Sequence, residues 1–286
     1  MTVLAVGLGA LMEAEGRDRI NMTLPGVQRQ LLAAVAKVAK KLVVVVVSAG
    51  GVDLGDESGF DAVLWAPYGG EEAGTGLAQV LLGTVNPSGR MPVTVYKQSW
   101  ADAMNCKNIT PGPPGSTVNF KEDCATSILH FDLEPGLGKT HRYVNKSTAA
   151  THVRHAFGFG LSYTDFVYSA LTVSTAADGS LSISVSVKNS GSVDGAEVVE
   201  AYLQGATVAG QATALHDLVA FGKTAVIKAG ANVTLKLTAP TDQLSTAMAD
   251  GSRKVVAGKR TLSVGGHGPQ DTEATGKLLT AQVTLK

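Results

Sequence analysis

Cysteine is nearly absent, with only Cys106 and Cys124 in 286 residues. Two thiols cannot frame a disulfide-built scaffold, and they lack metal-ligand spacing, so they leave room for one bridge at most. Aromatic residues amount to 5%, whereas 33 glycines exceed the usual share of about 7%, which favours tight turns and close backbone approaches over a large aromatic core. Neither sign of charge dominates: 24 basic and 24 acidic residues cancel, and they cancel again within residues 161–286. That balance argues against a basic face for nucleic acid and against an acidic tail. The longest apolar run, Leu42 to Val47, falls far short of the roughly 18 residues of a membrane helix. The opening stretch Val3 to Leu8 follows no basic region and precedes no convincing cleavage site, so it reads as a buried strand and not as a secretory leader.

With 44% hydrophobic and 17% charged residues, the chain has material for two cores, at roughly 150 residues per domain. Up to about residue 100, short β-branched runs (Val3 to Leu8, Leu42 to Val47, Ala62 to Ala66) alternate with helical patterns (Pro25 to Lys41, Glu71 to Leu82). This alternation predicts a parallel sheet covered by helices. Val27, Leu31, Val35 and Val38 form the expected inward stripe of the first helix, and Leu77, Val80 and Leu81 that of the second. Residues 101–160 hold both cysteines, a Pro-Gly cluster and no sustained period, and read as an irregular linker. Beyond it period-2 alternation takes over: Leu181, Ile183, Val185 and Val187 against Ser182, Ser184, Ser186 and Lys188, then Val233, Leu235 and Leu237 against Asn232, Thr234 and Lys236. Residues 161–286 therefore read as an antiparallel β-sandwich. The expected class is α/β followed by all-β.

Several segments in fixed order carry a family likeness. They are Gly7-Leu8 with Glu13 to Arg19 and Leu24-Pro25; Ser48 to Asp53; Leu64-Trp65-Ala66 with Tyr68, Gly70 and Glu71; Asn86 to Thr94; Gly138 to Tyr143; Phe157 to Thr164; and Lys188 to Gly191 with Gly195 to Val199. In this set the chain resembles glycoside hydrolase family 3, above all its β-xylosidase branch. The resemblance implies that residues 1–100 are an N-terminally truncated C-terminal α/β sandwich domain and residues 161–286 a fibronectin type III-like domain. It further implies that a barrel carrying the nucleophilic carboxylate belongs to the full-length protein. The implied activity is removal of terminal β-xylosyl, or α-arabinofuranosyl, residues from hemicellulose oligosaccharides. A β-glucosidase-type member and a noncatalytic carbohydrate-binding or scaffold module are the alternatives. No cofactor or metal is implied, nor a nucleic acid or membrane partner. The full-length enzyme would be extracellular or in the cell wall, and the chain by itself inactive.

Retaining glycoside hydrolysis uses two carboxyl groups about 5 Å apart, one attacking and one acting as acid then base. The resemblance puts the acid/base at Glu13, in the loop after the first strand, with Glu15 as runner-up. A partly buried setting near another carboxylate would raise its pKa into the useful range. The chain departs from the family here, having Gly9-Ala10-Leu11 where Asp-Gln-Thr is usual. The bland reading makes Glu13, Glu15 and Asp18 loop carboxylates that face a helix dipole and Arg17 and Arg19. Trp65 and Tyr68 are candidate sugar platforms, or core aromatics at a strand end. Asp53 reads as a helix cap, Arg90 as a loop pin, and His141 with Arg142 as a structural bridge; His216 and His267 have no partner pattern. Gly7-Leu8-Gly9 invites a dinucleotide reading, but Met12 stands where a third glycine belongs. Glycosylation sequons occur at Asn21, Asn108, Asn145 and Asn232, of which Asn232 shares the outward face of its strand with Thr234 and Lys236.

Overall fold

The computed structural model describes residues 1–15, 19, 21–104, 133, 137–272 and 278–286. Cys106, Cys124, Asn108, Arg17 and Asp18 lie outside the described residues. The first unit runs β1 (Thr2–Gly7), α1 (Gln28–Ala36), β2 (Leu42–Val47), β3 (Ala62–Ala66), α2 (Ala73–Leu81), β4 (Val95–Tyr96), α3 (Gln98–Met104), α4 (Thr140–Tyr143), α5 (Lys146–His152) and β5 (Val153–His155). β1, β2 and β3 pair in parallel in that order, with Gly7 opposite Val47 and Val47 opposite Ala66 at their carboxyl ends. The central strand reads as an unbroken valine run because both its faces are covered, Val44 and Val45 being fully buried on opposite sides. Val6, Leu24, Leu32, Leu42, Val44, Val46 and Val52 share one apolar core.

Both helices differ from their expected form. α1 begins at Gln28, because Pro25 and Gly26, the latter at φ +58°, form the preceding turn. Its inward residue is Leu32, flanked by Val35, Ala36 and Ala39 on the core, while Val27 and Val38 are exposed and Leu31 half-exposed. Of the stripe expected from the sequence only Val35 packs on the core, so the buried face is rotated toward Leu32, Ala36 and Ala39. α2 has no fully buried residue; Leu77, Val80 and Leu81 are only half-buried.

The linker expectation also needs correction for residues 137–160, which carry α4, α5 and β5. β5 pairs antiparallel with β4, so this stretch closes back on the first unit. Trp100, Ala101 and Met104 of α3 bury against Tyr96 and Leu137, and the Tyr96 and Trp100 rings stack at 3.9 Å. These elements escape a periodicity reading because each spans seven residues or fewer.

The second unit holds β6 (Phe166–Thr175), β7 (Leu181–Asn189), β8 (Val198–Gln204), β9 (His216–Lys223), β10 (Asn232–Ala239), β11 (Thr246–Ala247), β12 (Arg253–Lys254), β13 (Gly258–Gly265) and β14 (Leu279–Leu285). Two antiparallel sheets, β10-β7-β6 and β14-β13-β8-β9, enclose one core. The alternation expected in β7 is realised: Leu181, Ile183, Val185 and Val187 are buried, with their serine and lysine neighbours on the outer face. β8 departs from it. Val199, Ala201 and Leu203 face the sandwich core, yet Glu200 and Tyr202 on its other face are buried as well, because the first unit covers them.

Candidate active site

β1 delivers the chain to the carboxyl edge of the parallel sheet, the edge where α/β folds place their sites. Gly7 permits the close approach: a Cβ there would lie 1.9 Å from the Val47 carbonyl oxygen. The Gln28 side chain brackets Gly7, accepting from its N–H at 2.8 Å and donating to its carbonyl at 2.9 Å. The next residues coil tightly, with the N–H groups of Met12 and Glu13 both donating to the Gly9 carbonyl. That turn folds Glu13 back over the end of β2.

There the Glu13 carboxylate is held by donors from three directions. The Ala49 N–H donates to Oε2 at 2.8 Å and the Gly50 N–H to Oε1 at 3.0 Å. The Tyr68 hydroxyl donates to Oε2 at 2.9 Å, and an Arg19 guanidinium nitrogen stands 3.5 Å from Oε1. Arg19 is itself fixed by donating to the Gly51 carbonyl at 2.8 Å. The turn presenting the two amides is braced by buried Ser48, whose hydroxyl donates to the Gly50 carbonyl and accepts from the Trp65 indole. Only 10% of the Glu13 side chain is exposed.

Burial alone pushes the Glu13 carboxyl up, but the Ala49 and Gly50 amides, the Tyr68 hydroxyl and the Arg19 charge together outweigh it. The net direction is below the usual carboxylate value, opposite to the rise expected from the sequence. The reason is the company Glu13 keeps: its neighbours among the described residues are donors and a cation, and among those residues no second carboxylate faces it. Glu15 is exposed two residues on. Arg19 beside the carboxylate is what the bland reading of this loop offered; sequence reasoning missed the two amides of Ala49 and Gly50, which carry no side-chain signature.

The two aromatics part company. Trp65 is half-buried, packs on the core and spends its N–H on Ser48, so it is a core residue. Tyr68 is 49% exposed and its hydroxyl belongs to Glu13. Asp53 is buried and does cap a helix, one 45 residues away: Oδ2 accepts from the Gln98 N–H at the start of α3. Its Oδ1 accepts from the Gly55 N–H and pairs with Arg154, which also lies 3.7 Å from Glu57. Arg90 pins its loop by donating to the Gly160 carbonyl and pairs with Glu197. The Arg142 carbonyl accepts from Leu215 N–H and its guanidinium donates to Asp217, while the His141 ring stacks on Phe157. An open groove of 580 Å³ beside α1, lined by Asn21, Thr23, Arg29 and Gln30 among others, does not include Glu13. No cluster of three or more metal-ligating side chains occurs among the described residues.

This parallel sheet with its carboxylate-bearing edge loop, followed by a β-sandwich, has a known counterpart. Residues 1–163 match the model of the glycosyl hydrolase family 3 C-terminal domain, and the chain belongs to that family. It is 36% identical to a β-xylosidase/α-L-arabinofuranosidase 2 of Medicago sativa subsp. varia over 58% of this chain and 19% of the relative. A probable β-glucosidase K of Emericella nidulans is 33% identical over 87% of this chain and 27% of that protein. Among solved structures, the β-glucosidase DesR of Streptomyces venezuelae, in complex with D-glucose, superposes with a TM-score of 0.75 at 28% identity, over 99% of this chain and 33% of that one. The chain therefore spans about a fifth to a quarter of the curated relatives it matches.

Proposed function

We propose that the chain is the C-terminal portion of a retaining exo-glycosidase acting on terminal β-xylosyl residues, α-arabinofuranosyl ones included, with Glu13 as the acid/base. The observation that carries this is the position of Glu13, in the loop leaving β1 at the carboxyl edge of the parallel sheet, with its carboxylate fixed to within hydrogen-bond tolerance. The nucleophilic carboxylate would come from a barrel outside these 286 residues, and the sandwich of residues 161–286 is of the fibronectin type III kind, a reading supported by its three- and four-stranded antiparallel sheets. Because the cradle favours the anion, Glu13 suits the base half of the cycle as it stands. The acid half requires a carboxylate or sugar opposite it to push its pKa back up. That similar proteins include β-glucosidases supports β-glucosyl specificity as the second substrate reading.

The test is an assay with nitrophenyl β-xyloside and β-glucoside, first on the 286-residue chain, then on a fusion that restores the N-terminal portion of the Medicago sativa relative. The chain alone should show no turnover above buffer. The fusion should turn over the xyloside, with Glu13→Gln lowering its rate by roughly 10²- to 10⁴-fold and Glu15→Gln leaving it within a few-fold. Robust hydrolysis by the chain alone, or a fusion silenced by Glu15→Gln and not by Glu13→Gln, would overturn the reading. Saturable binding of xylo-oligosaccharides by the 286-residue chain without turnover in either form would favour a carbohydrate-binding module.

A further inference from the structure

Four groups surround the Glu13 carboxylate, and they differ in what they can do once it takes up a proton. The amides of Ala49 and Gly50 and the guanidinium of Arg19 are donors only. None of them can accept a hydrogen bond from a protonated carboxyl group. The Tyr68 hydroxyl can donate or accept. It meets Oε2 at 2.9 Å, it comes from a separate loop, the one after β3, and its residue is half-exposed whereas Arg19 is largely enclosed. Gly50 N–H and the guanidinium both address Oε1, so Oε1 is the oxygen least able to carry a proton.

From this geometry we infer that Tyr68 is a positioning residue for Glu13: its hydroxyl turns from donor to acceptor when the carboxylate is protonated, and so selects Oε2 as the oxygen that carries the proton and holds it toward the exposed side. The step moves one proton from solvent to Oε2, taking the carboxyl from −1 to neutral. The bond Tyr68 Oη–H to Oε2 is replaced by Oε2–H to Oη, while the phenol keeps its own hydrogen, which rotates away from Oε2 toward the open, solvent side. No phenolate forms. The charged and titratable groups that face Glu13 among the described residues are Arg19 and Tyr68; the loop after β2 contributes backbone amides, and Glu15 is exposed nearby. The Tyr68 phenol is raised by desolvation first and by the Glu13 anion after it, and the Glu13 carboxyl is lowered in part by the Tyr68 hydroxyl, signs that agree with a donor-to-anion bond at neutral pH.

The inference rests on the reading of Glu13 given above, but its test does not need turnover. In the full chain carrying carboxyl-labelled glutamate and ring-labelled tyrosine, NMR titration follows Glu13 and Tyr68 directly. In the unsubstituted protein both signals should move together through the Glu13 pKa. Tyr68→Phe should raise that pKa by about half a unit to one unit, because a charge-assisted bond to the anion is lost. Glu13→Gln places an amide where the protonated acid would be, keeps the contact with Oη, and should lower the Tyr68 pKa by removing the anion. An unchanged Glu13 titration in a folded Tyr68→Phe protein overturns the inference. Should that variant not fold, an unchanged Tyr68 titration in Glu13→Gln overturns it equally. Glycosidase activity surviving Glu13→Gln in the restored enzyme would instead sink the catalytic reading and leave these titrations as they are.

Discussion

The Arg90 guanidinium meets the Glu197 carboxylate across the junction between the two units, with 14% of one side chain and 3% of the other exposed. Arg90 follows the turn after α2 and Glu197 immediately precedes β8, and Tyr168 of β6 donates its hydroxyl to the same carboxylate oxygen. Glu200 and Tyr202 extend the buried polar layer one strand position further, hydrogen-bonded to each other at 2.8 Å. A buried ion pair adds little net stability against an apolar replacement, but removing one partner strands the other. Arg90→Ala should therefore destabilise the chain by about 3–5 kcal/mol, whereas Glu197→Gln, which keeps an acceptor for both Arg90 and Tyr168, should cost clearly less. Urea unfolding at pH 7 measures both. Equal losses in the two variants would mean that the charge is immaterial.

The pH dependence of stability follows from groups that pull in opposite directions. Burial pushes the carboxyls of Glu197 and Glu200 up, against the influence of Arg90 and Tyr168 on the first and of Tyr202 on the second. A carboxyl that holds its proton more tightly when folded contributes stability below its ordinary value near 4.5 and loses it as pH rises through the folded value. His141 does the reverse. Burial first, and the Arg142 charge second, lower it from 6.5 to about 4, so between those values the unfolded chain binds the extra proton and stability falls as pH drops. His141→Phe keeps an aromatic ring on Phe157, 4.0 Å away, and removes that titration. The variant should be less acid-labile than the unsubstituted chain between pH 6.5 and 4, by on the order of 2 kcal/mol at the acid end. Thermal unfolding across this range decides it, and parallel curves would show that His141 does not titrate on unfolding.

The strand pattern and the loop bearing Glu13 were legible because both are local. Period-2 alternation in β7 and the valine run of β2 report burial that a single strand experiences along its own length. Of what surrounds Glu13 only Arg19 was within local reach; the Ala49 amide and the Tyr68 hydroxyl arrive from 36 and 55 residues away, and the backbone amides carry no residue signature. The direction of its pKa was misjudged for the same reason: the family chemistry suggested a neighbouring carboxylate, whereas the Ala49 and Gly50 amides and the Tyr68 hydroxyl, with Arg19 after them, outweigh burial. Arg90 reads as a loop pin from its Pro-Ser-Gly-Arg turn, yet its partner Glu197 lies 107 residues on. α1 was foreseen as an element but drawn too long, Pro25 to Lys41 against Gln28–Ala36, and turned so that of its expected stripe only Val35 joins Leu32 and the alanines on the core.

Three of the four sequons fall on described residues, and their settings differ. Asn21 folds back so that its Oδ1 accepts from both the N–H and the hydroxyl of Thr23. Asn145 caps α5 by accepting from the Thr148 N–H. Asn232 is exposed on β10, an edge strand, with its side chain on the outer face beside exposed Thr234 and Lys236. On expression through a secretory pathway Asn232 should carry a glycan, and Asn232→Gln should remove one glycan mass from the intact protein without changing its unfolding temperature. Mass spectrometry before and after enzymatic deglycosylation reads this directly; an identical mass loss in the two proteins would show that the site is unused.

Behind the Glu13 cradle, Asp53 ties three segments together. Its N–H donates to the Met22 carbonyl at 2.7 Å, while its carboxylate accepts from Gln98 N–H and Gly55 N–H and pairs with Arg154. Gln98 returns the connection by accepting from the Met22 N–H at 2.7 Å. The segment that includes Arg19 and Met22 is thus fastened to the start of α3 and to β5 through one buried carboxylate. Asp53→Ala strands two amides and deprives Arg154 of its nearer partner, so a loss of about 3 kcal/mol is expected, with faster hydrogen exchange at Gly55, Gln98 and Met22. Asp53→Asn retains an acceptor and leaves Arg154 with Glu57, and should cost about half as much. The β7 amides report only global opening, so they separate a local loosening from a general one. If Asn and Ala behave alike, or if exchange rises equally in β7, the connection through Asp53 does not position the Glu13 loop.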